Sequence, residues 1–145
     1  FEIVTPTNAY FGEKDFQQLQ IVKKLVVKNQ LPVTIIGCPI YREANQLAMS
    51  SRNERLSAEE RNQASLIYQT LLQAKEKFQN GTVESVNQLV QQTFENQPLF
   101  DLEYFVIADE ETLLPCTTKE KDKNYRAFIA VFVNNIRLID TISLN

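Results

Sequence analysis

The sequence has no histidine and no tryptophan, and only two cysteines and three glycines among 145 residues. Without histidine there is no Ser-His-Asp or Cys-His triad, no imidazole metal site and no imidazole acid/base switch near neutral pH. Cys38 and Cys116 are too few for a Cys-rich zinc site or a disulfide framework. Cys38 lies in the apolar run from Val33 to Ile40 and reads as a small core residue; the cysteine usage fits a reducing cytoplasm. No apolar run approaches the roughly 18 residues of a membrane span, and no secretory signal pattern opens these residues. A net charge of −3 argues against a general nucleic-acid binder. What is present is a 43% hydrophobic composition, enough for a core, over a length that suits one domain or two small ones.

Phe1 to Pro6 reads like the tail of an element already in progress. Asn8 to Phe11 reads as a strand end running into Gly12. Asp15 and Gln18 have the spacing of a capping box, followed by a helical stripe of Phe16, Leu19, Val22 and Leu25/Val26 that Asn29 closes. Leu31 to Ile36 suits a buried parallel strand. Strand, helix, strand makes a βαβ unit. One helix covers one face of two parallel strands, and nothing else in the chain supplies the other face or the edges. The expectation is therefore part of a larger α/β sheet whose other strands lie upstream of Phe1, with an exposed sheet through which these residues self-associate.

Tyr41 to Ser57 is polar and aperiodic, a long loop of the kind that is often functional and mobile. Ser57 and Glu60 form a second capping box, opening one helix to about Gln79 with Ala64, Ile67, Tyr68, Leu71, Ala74 and Phe78 on its inner face and Gly81 just beyond its end. Thr82 caps a helix with Val83, Val86, Leu89/Val90 and Phe94 inward. Phe100–Ala108, Arg126–Val133 and Ile136–Ile142 read as strands, the last two joined by Asn134-Asn135. Lys119 to Lys123 reads as a solvated loop, and Phe128 and Phe132 as core. The fold class is α/β plus α+β: a final βαβ element of a larger open α/β sheet (residues 1–41), then a small domain of two helices on a three-stranded antiparallel sheet (residues 42–145).

Two polar clusters stand at element ends. Gly12, Lys14, Asp15 and Gln18 lie where a parallel strand gives way to a helix, the edge at which open α/β sheets bind ligands. A helix N-terminus favours anions, Lys14 adds a point charge and Gly12 permits close backbone approach. The plainer reading is a capping box beside a solvated lysine. Met49, Ser50, Ser51, Arg52 and Asn53 place two hydroxyls, backbone N–H groups and a guanidinium together, a set that can hold phosphate oxygens. The plainer reading is a polar linker. Tyr10 and Tyr41 flank these clusters.

The run Tyr10-Phe11-Gly12-Glu13-Lys14-Asp15-Phe16-Gln17-Gln18-Leu19, followed by Arg42-Glu43 and then Leu47-Ala48-Met49-Ser50-Ser51-Arg52-Asn53, resembles the pantoate–β-alanine ligase family. Ile136 to Asp140 resembles its C-terminal strand, so the likeness runs through essentially the whole chain. The resemblance implies ATP as a substrate, condensation of pantoate with β-alanine through a pantoyl-adenylate, and assistance by Mg²⁺. It also implies that residues 1–41 are the final βαβ element of a Rossmann-like nucleotidyltransferase domain and residues 42–145 its C-terminal lid, in a homodimeric, cytoplasmic enzyme that binds neither nucleic acid nor membrane. It implies that Lys14, Ser50, Ser51 and Arg52 meet the ATP phosphates, Gly12 and Asp15 the ribose, Tyr41 and Met49 the adenine, and Gln18 the pantoate. No metal ligand is expected here. The family's HxGH motif and Mg²⁺ carboxylates are expected in an N-terminal half outside these residues, leaving the 145 residues alone inactive. The chain departs from the family in carrying Asn45-Gln46 where Asp-Gly is usual, which removes an easy positive φ. The alternatives are a non-catalytic α+β binding module and another adenylate-forming nucleotidyltransferase.

Overall fold

The computed structural model describes all 145 residues, Phe1–Asn145. They divide into two compact units, Phe1–Ile40 and Tyr41–Asn145. Tyr41, placed with the first part by the sequence reading, falls in the second.

The first unit runs strand β1 (Asn8–Gly12), a 3-10 turn (Glu13–Asp15), helix α1 (Phe16–Lys28) and strand β2 (Thr34–Cys38). The strands pair in parallel from Asn8↔Thr34 to Gly12↔Cys38. Helix α1 buries Phe16, Leu19 and Val26, while Leu25 of the expected stripe is 44% exposed. A Cβ on Gly37 would lie 3.0 Å from Leu19 Cδ2, so glycine lets the helix close on β2. The capping box expected of Asp15 and Gln18 does not form: Asp15 makes no capping hydrogen bond. The 3-10 turn leaves it at φ −99°, ψ 57°, outside the extended geometry from which a cap side chain folds back onto the helix. Cys38 is only half-buried, because one helix on two strands cannot enclose it.

The second unit holds helices α2 (Ala58–Gln63), α3 (Leu66–Asn80) and α4 (Val83–Glu95) and strands β3 (Phe100–Asp109), β4 (Tyr125–Val133) and β5 (Ile136–Ser143). The strands form one antiparallel sheet in the order β3-β4-β5. The single helix expected from Ser57 to Gln79 is two. At the join, Ser65 N–H donates to Asn62 O and Ile67 N–H to Ala64 O, i→i−3 bonds of 3-10 type that interrupt the α-helical ladder. Both capping boxes, Ser57/Glu60 and Thr82/Ser85, are present. Gly81 caps α3 with φ −101°, so it is not left-handed. Glycine is needed there because a Cβ would meet the Lys77 carbonyl oxygen at 2.7 Å and Ser85 Oγ at 2.6 Å.

The core lies between the helices and one face of the sheet. Ile67, Leu71, Ala74 and Phe78 of α3 and Val83, Val86, Val90 and Phe94 of α4 meet Ala127, Ile129, Val131 and Val133 of β4. Period-2 alternation puts Phe128 and Phe132 on the opposite face. Phe128 is buried there and Phe132 half-buried, so neither belongs to the helix-covered core. Lys119, expected to be solvated, donates to the Phe78 carbonyl at 2.6 Å and sits over the Phe78 ring at 4.7 Å.

Candidate functional site

The segment from Tyr41 to Leu56 is folded rather than an open loop. Tyr41–Met49 is a short hairpin. Met49 N–H donates to Tyr41 O and Glu43 N–H to Leu47 O, both at 2.9 Å, with a bridge between Arg42 and Ala48. Its turn closes by Gln46 N–H donating to Glu43 O at 2.8 Å, with Gln46 at φ 72°. This residue stands where the resemblance expects glycine, and it adopts the left-handed conformation without one. Leu47 and Ala48 are buried and hold the hairpin down. The chain then crosses Met49 to an extended Ser50 and turns into a 3-10 helix (Ser51–Arg55). Ser50 Oγ accepts from Arg52 N–H.

The turn presents Met49, Ser51 and Arg52 to solvent, with Ser50 half-buried. Arg52 Nη1 reaches Arg137 O at 3.4 Å, a long contact for a guanidinium. Tyr41, at the neck of the hairpin, is 72% exposed. So Tyr41 and Met49 pair at the neck of the hairpin, and Ser50, Ser51 and Arg52 follow directly on the turn. In the first unit, Gly12, Lys14, Asp15 and Gln18 stand at the corner from β1 into α1. Gly12, Asp15 and Gln18 are exposed and Lys14 is half-buried. Gly12 has φ −69°, and a Cβ there would meet nothing within 4 Å. Neither backbone strain nor packing calls for glycine at this corner.

The frame beside the turn is polar and partly buried, from the Asp140 side chain at 2% exposure to that of Arg61 at 41%. Arg42 donates from both Nη atoms to the Asp140 carboxylate, at 2.7 and 3.0 Å, and its guanidinium stacks 3.5 Å from the centre of the Tyr68 ring. Bidentate geometry and stacking both favour arginine over lysine. Arg61 donates to both oxygens of Glu43, at 2.7 and 2.8 Å. That hydrogen bonding, assisted by Asn53, holds the Glu43 carboxyl below its ordinary pKa against the opposing effect of burial. Sequence reasoning missed this frame as a unit. Arg42 and Glu43 stood in the motif, but Asp140 is 98 residues from Arg42 and no local pattern pairs them.

A family profile described as Pantoate-beta-alanine ligase matches residues 1–143. The chain belongs to the pantoate-beta-alanine ligase family. It is 65% identical over 144 residues to the pantothenate synthetase of Flavobacterium psychrophilum, covering 99% of this chain and 51% of that protein. It is 54% identical over 145 residues to that of Christiangramia forsetii, covering 100% and 51%. The crystal structure of pantothenate synthetase from Thermus thermophilus superposes with a TM-score of 0.89 at 37% identity, covering 99% of this chain and 52% of that one. A pantoate-beta-alanine ligase structure from Francisella tularensis, complexed with beta-gamma ATP and beta-alanine, gives 0.66 at 30% identity, covering 99% and 46%. The chain thus spans about half the length of the family members it matches.

Proposed function

We propose that the chain is the C-terminal part of an ATP-dependent ligase that condenses pantoate with β-alanine. The pantoate carboxylate attacks the α-phosphorus of ATP, giving pantoyl-adenylate and releasing pyrophosphate. The β-alanine amine then attacks the activated carbonyl, forms the amide and releases AMP. The observation that carries this reading is the exposed turn: two adjacent hydroxyls and a guanidinium on a 3-10 turn, beside a partly buried ion-paired frame, in a member of this ligase family. A relative solved in complex with beta-gamma ATP and beta-alanine supports the choice of substrates.

In this reading Lys14, Ser50, Ser51 and Arg52 hold the phosphates and stabilise the charge that grows on them in the transition state. Gly12 and Asp15 lie by the ribose, and the open space over Gly12 leaves room for close approach. Tyr41 and Met49 line the adenine, and Gln18 binds pantoate. The first unit, Phe1–Ile40, belongs to a Rossmann-like nucleotide-binding domain, and the second is its lid. Mg²⁺, when bound, would neutralise charge on the phosphates. In this reading its carboxylate ligands and the HxGH histidines belong to an N-terminal half outside these residues, since the chain spans 51% of the pantothenate synthetase of Flavobacterium psychrophilum. The enzyme is a cytoplasmic homodimer.

The test is pantothenate formation from ATP, pantoate and β-alanine by the full-length protein. Lys14→Ala and Arg52→Ala are each expected to lower kcat about 10²–10³-fold, the scale of one lost transition-state contact. Unchanged turnover in both variants removes these roles. The 145 residues alone are expected to form no pantothenate, and product from them would overturn that part of the reading.

A further inference from the structure

The side chain of Asn53 is fully buried and makes no part of the exposed surface. Its amide nitrogen uses both hydrogens, one on Ala48 O at 3.0 Å and one on Glu43 Oε1 at 2.6 Å. Its backbone N–H donates to Ser50 O at 3.0 Å. One residue therefore closes the Ser50–Asn53 turn through the main chain and ties the exit of the segment to its entry through the side chain. The amide orientation is determined, because a rotation by 180° would set Oδ1 against the Ala48 carbonyl and the Glu43 carboxylate. Oδ1 is the one buried side-chain polar atom without a partner. The site is built around the two donors and leaves the acceptor unmatched.

Glu43 is braced in turn. Both its oxygens take the Arg61 guanidinium, a charge-assisted pair stronger than a neutral one. Arg61 belongs to α2, and its carbonyl accepts from Asn45 Nδ2 at 2.7 Å. The clamp thus runs from the turn through Asn53 and Glu43 to a helix. Ser51 and Arg52 are exposed, and the Arg52 guanidinium has one long contact, to the Arg137 carbonyl at 3.4 Å. Contacts to phosphate oxygens need placement to within roughly 0.5 Å, and about 1 Å of error can cost on the order of 100-fold in rate.

We propose that Asn53, braced by Glu43 and Arg61, is the positioning residue that sets Ser50, Ser51 and Arg52 against the triphosphate of the bound nucleotide, without touching the nucleotide itself. This rests on the ligase reading above. It predicts that the clamp serves the adenylating step, in which the triphosphate is cleaved. Attack of the amine on a pantoyl-adenylate already formed does not use it.

Asn53→Asp keeps the shape, removes both donors and sets a carboxylate against Glu43. In the full-length protein it is expected to lower kcat/KM for ATP about tenfold or more, read as pyrophosphate release. Conversion of supplied pantoyl-adenylate by β-alanine should stay within about twofold of wild type. Amide exchange at Arg52 and Asn53 should quicken about tenfold while the amides of β4 keep their rates. Glu43→Gln, which keeps an acceptor for Asn53 but loses the charged pair, should show the same selectivity with a smaller loss. It decides the matter if Asn53→Asp does not fold. Val90→Ala, a cavity on α4 away from the segment, is the control: it should lower the Tm without changing the ratio of the two half-reactions. Unchanged adenylation, or an equal loss in both half-reactions, overturns the proposal. A wild-type protein inactive in both half-reactions defeats the ligase reading and this inference with it. An active wild type with unaffected variants defeats the inference alone.

Discussion

Gln46 holds φ 72° in the turn of the Tyr41–Met49 hairpin. A left-handed conformation costs an L-residue roughly 1–2 kcal/mol, and Gly replacement returns part of that to the unfolded chain as entropy. Gln46→Gly is therefore expected to stabilise the chain by about 0.5–1 kcal/mol, seen as a higher urea midpoint at unchanged slope. A lower midpoint would show that the Gln46 side chain contributes contacts of its own. Asn45 compensates for the missing glycine: its Oδ1 accepts from Leu47 N–H and its Nδ2 donates to Arg61 O. Arg42, by contrast, stabilises through its side chain. Removing it strands the Asp140 carboxylate, whose side chain is 2% exposed, and uncovers Tyr68. Arg42→Ala should cost about 3–5 kcal/mol, and a thermal melt that moves by only a degree or two would contradict the burial of that pair.

At the scale of elements, the helix starts separate into two kinds. Thr82 Oγ1 accepts from Ser85 N–H at 3.1 Å while Ser85 Oγ accepts from Thr82 N–H at 3.0 Å. Asp15 makes no such bond. Thr82→Ala should therefore cost about 1 kcal/mol and Asp15→Ala less than about 0.5 kcal/mol, compared by denaturant melts. Equal costs would mean that the cap at Asp15 forms in solution. The S/T-x-x-E/S pattern is legible in sequence because both partners lie on one turn. The failure at Asp15 was not, because Asp-x-x-Gln has the same spacing whether or not a 3-10 turn precedes it. The break between α2 and α3 was hidden for a similar reason. Ala64 and Ile67 continue one apolar stripe through the join, and periodicity does not register a change of axis.

For the whole molecule, apolar burial is unequal. The continuous core runs from Leu47 to Leu144 and lies wholly in the second unit, whereas α1 buries three side chains over a two-stranded sheet. Amides of β1 and β2 should exchange by local opening well before those of β4, whose exchange should follow global unfolding. Equal protection in both sheets would show that the units share one cooperative transition. Charge gives a second prediction. Glu43, Glu60 and Asp109 are each held below their ordinary values by hydrogen bonds, chiefly from Arg61, the Ser57 backbone and the Thr112 backbone in turn. A lowered folded pKa gives stability that is complete above the unfolded value and lost as pH falls through the folded one. With no histidine, the Tm should be level from about pH 6 to 8 and fall as pH drops below 4.5, the ordinary Glu value. At the alkaline end, burial pushes the Cys116 thiol above its ordinary 9.0, so stability should decline again as pH rises past that value.

The order of the five strands, the inner faces of α3 and α4 and the family motifs were decided within the sequence, because each depends on residues a few positions apart. Gly12 to Gln18 and Met49 to Asn53 could be picked out as candidate sites for the same reason. Only the tertiary structure decided that Tyr41–Leu56 is a clamped hairpin and turn rather than a mobile loop. Its clamps join Arg42 to Asp140 and Glu43 to Arg61, residues that come together only when β5 and α2 have packed. Phe128 passed to the other face of the sheet, and Cys38 out of the core, by the same logic: hydrophobic character is written in the chain, but which side of a sheet is covered depends on what packs against it.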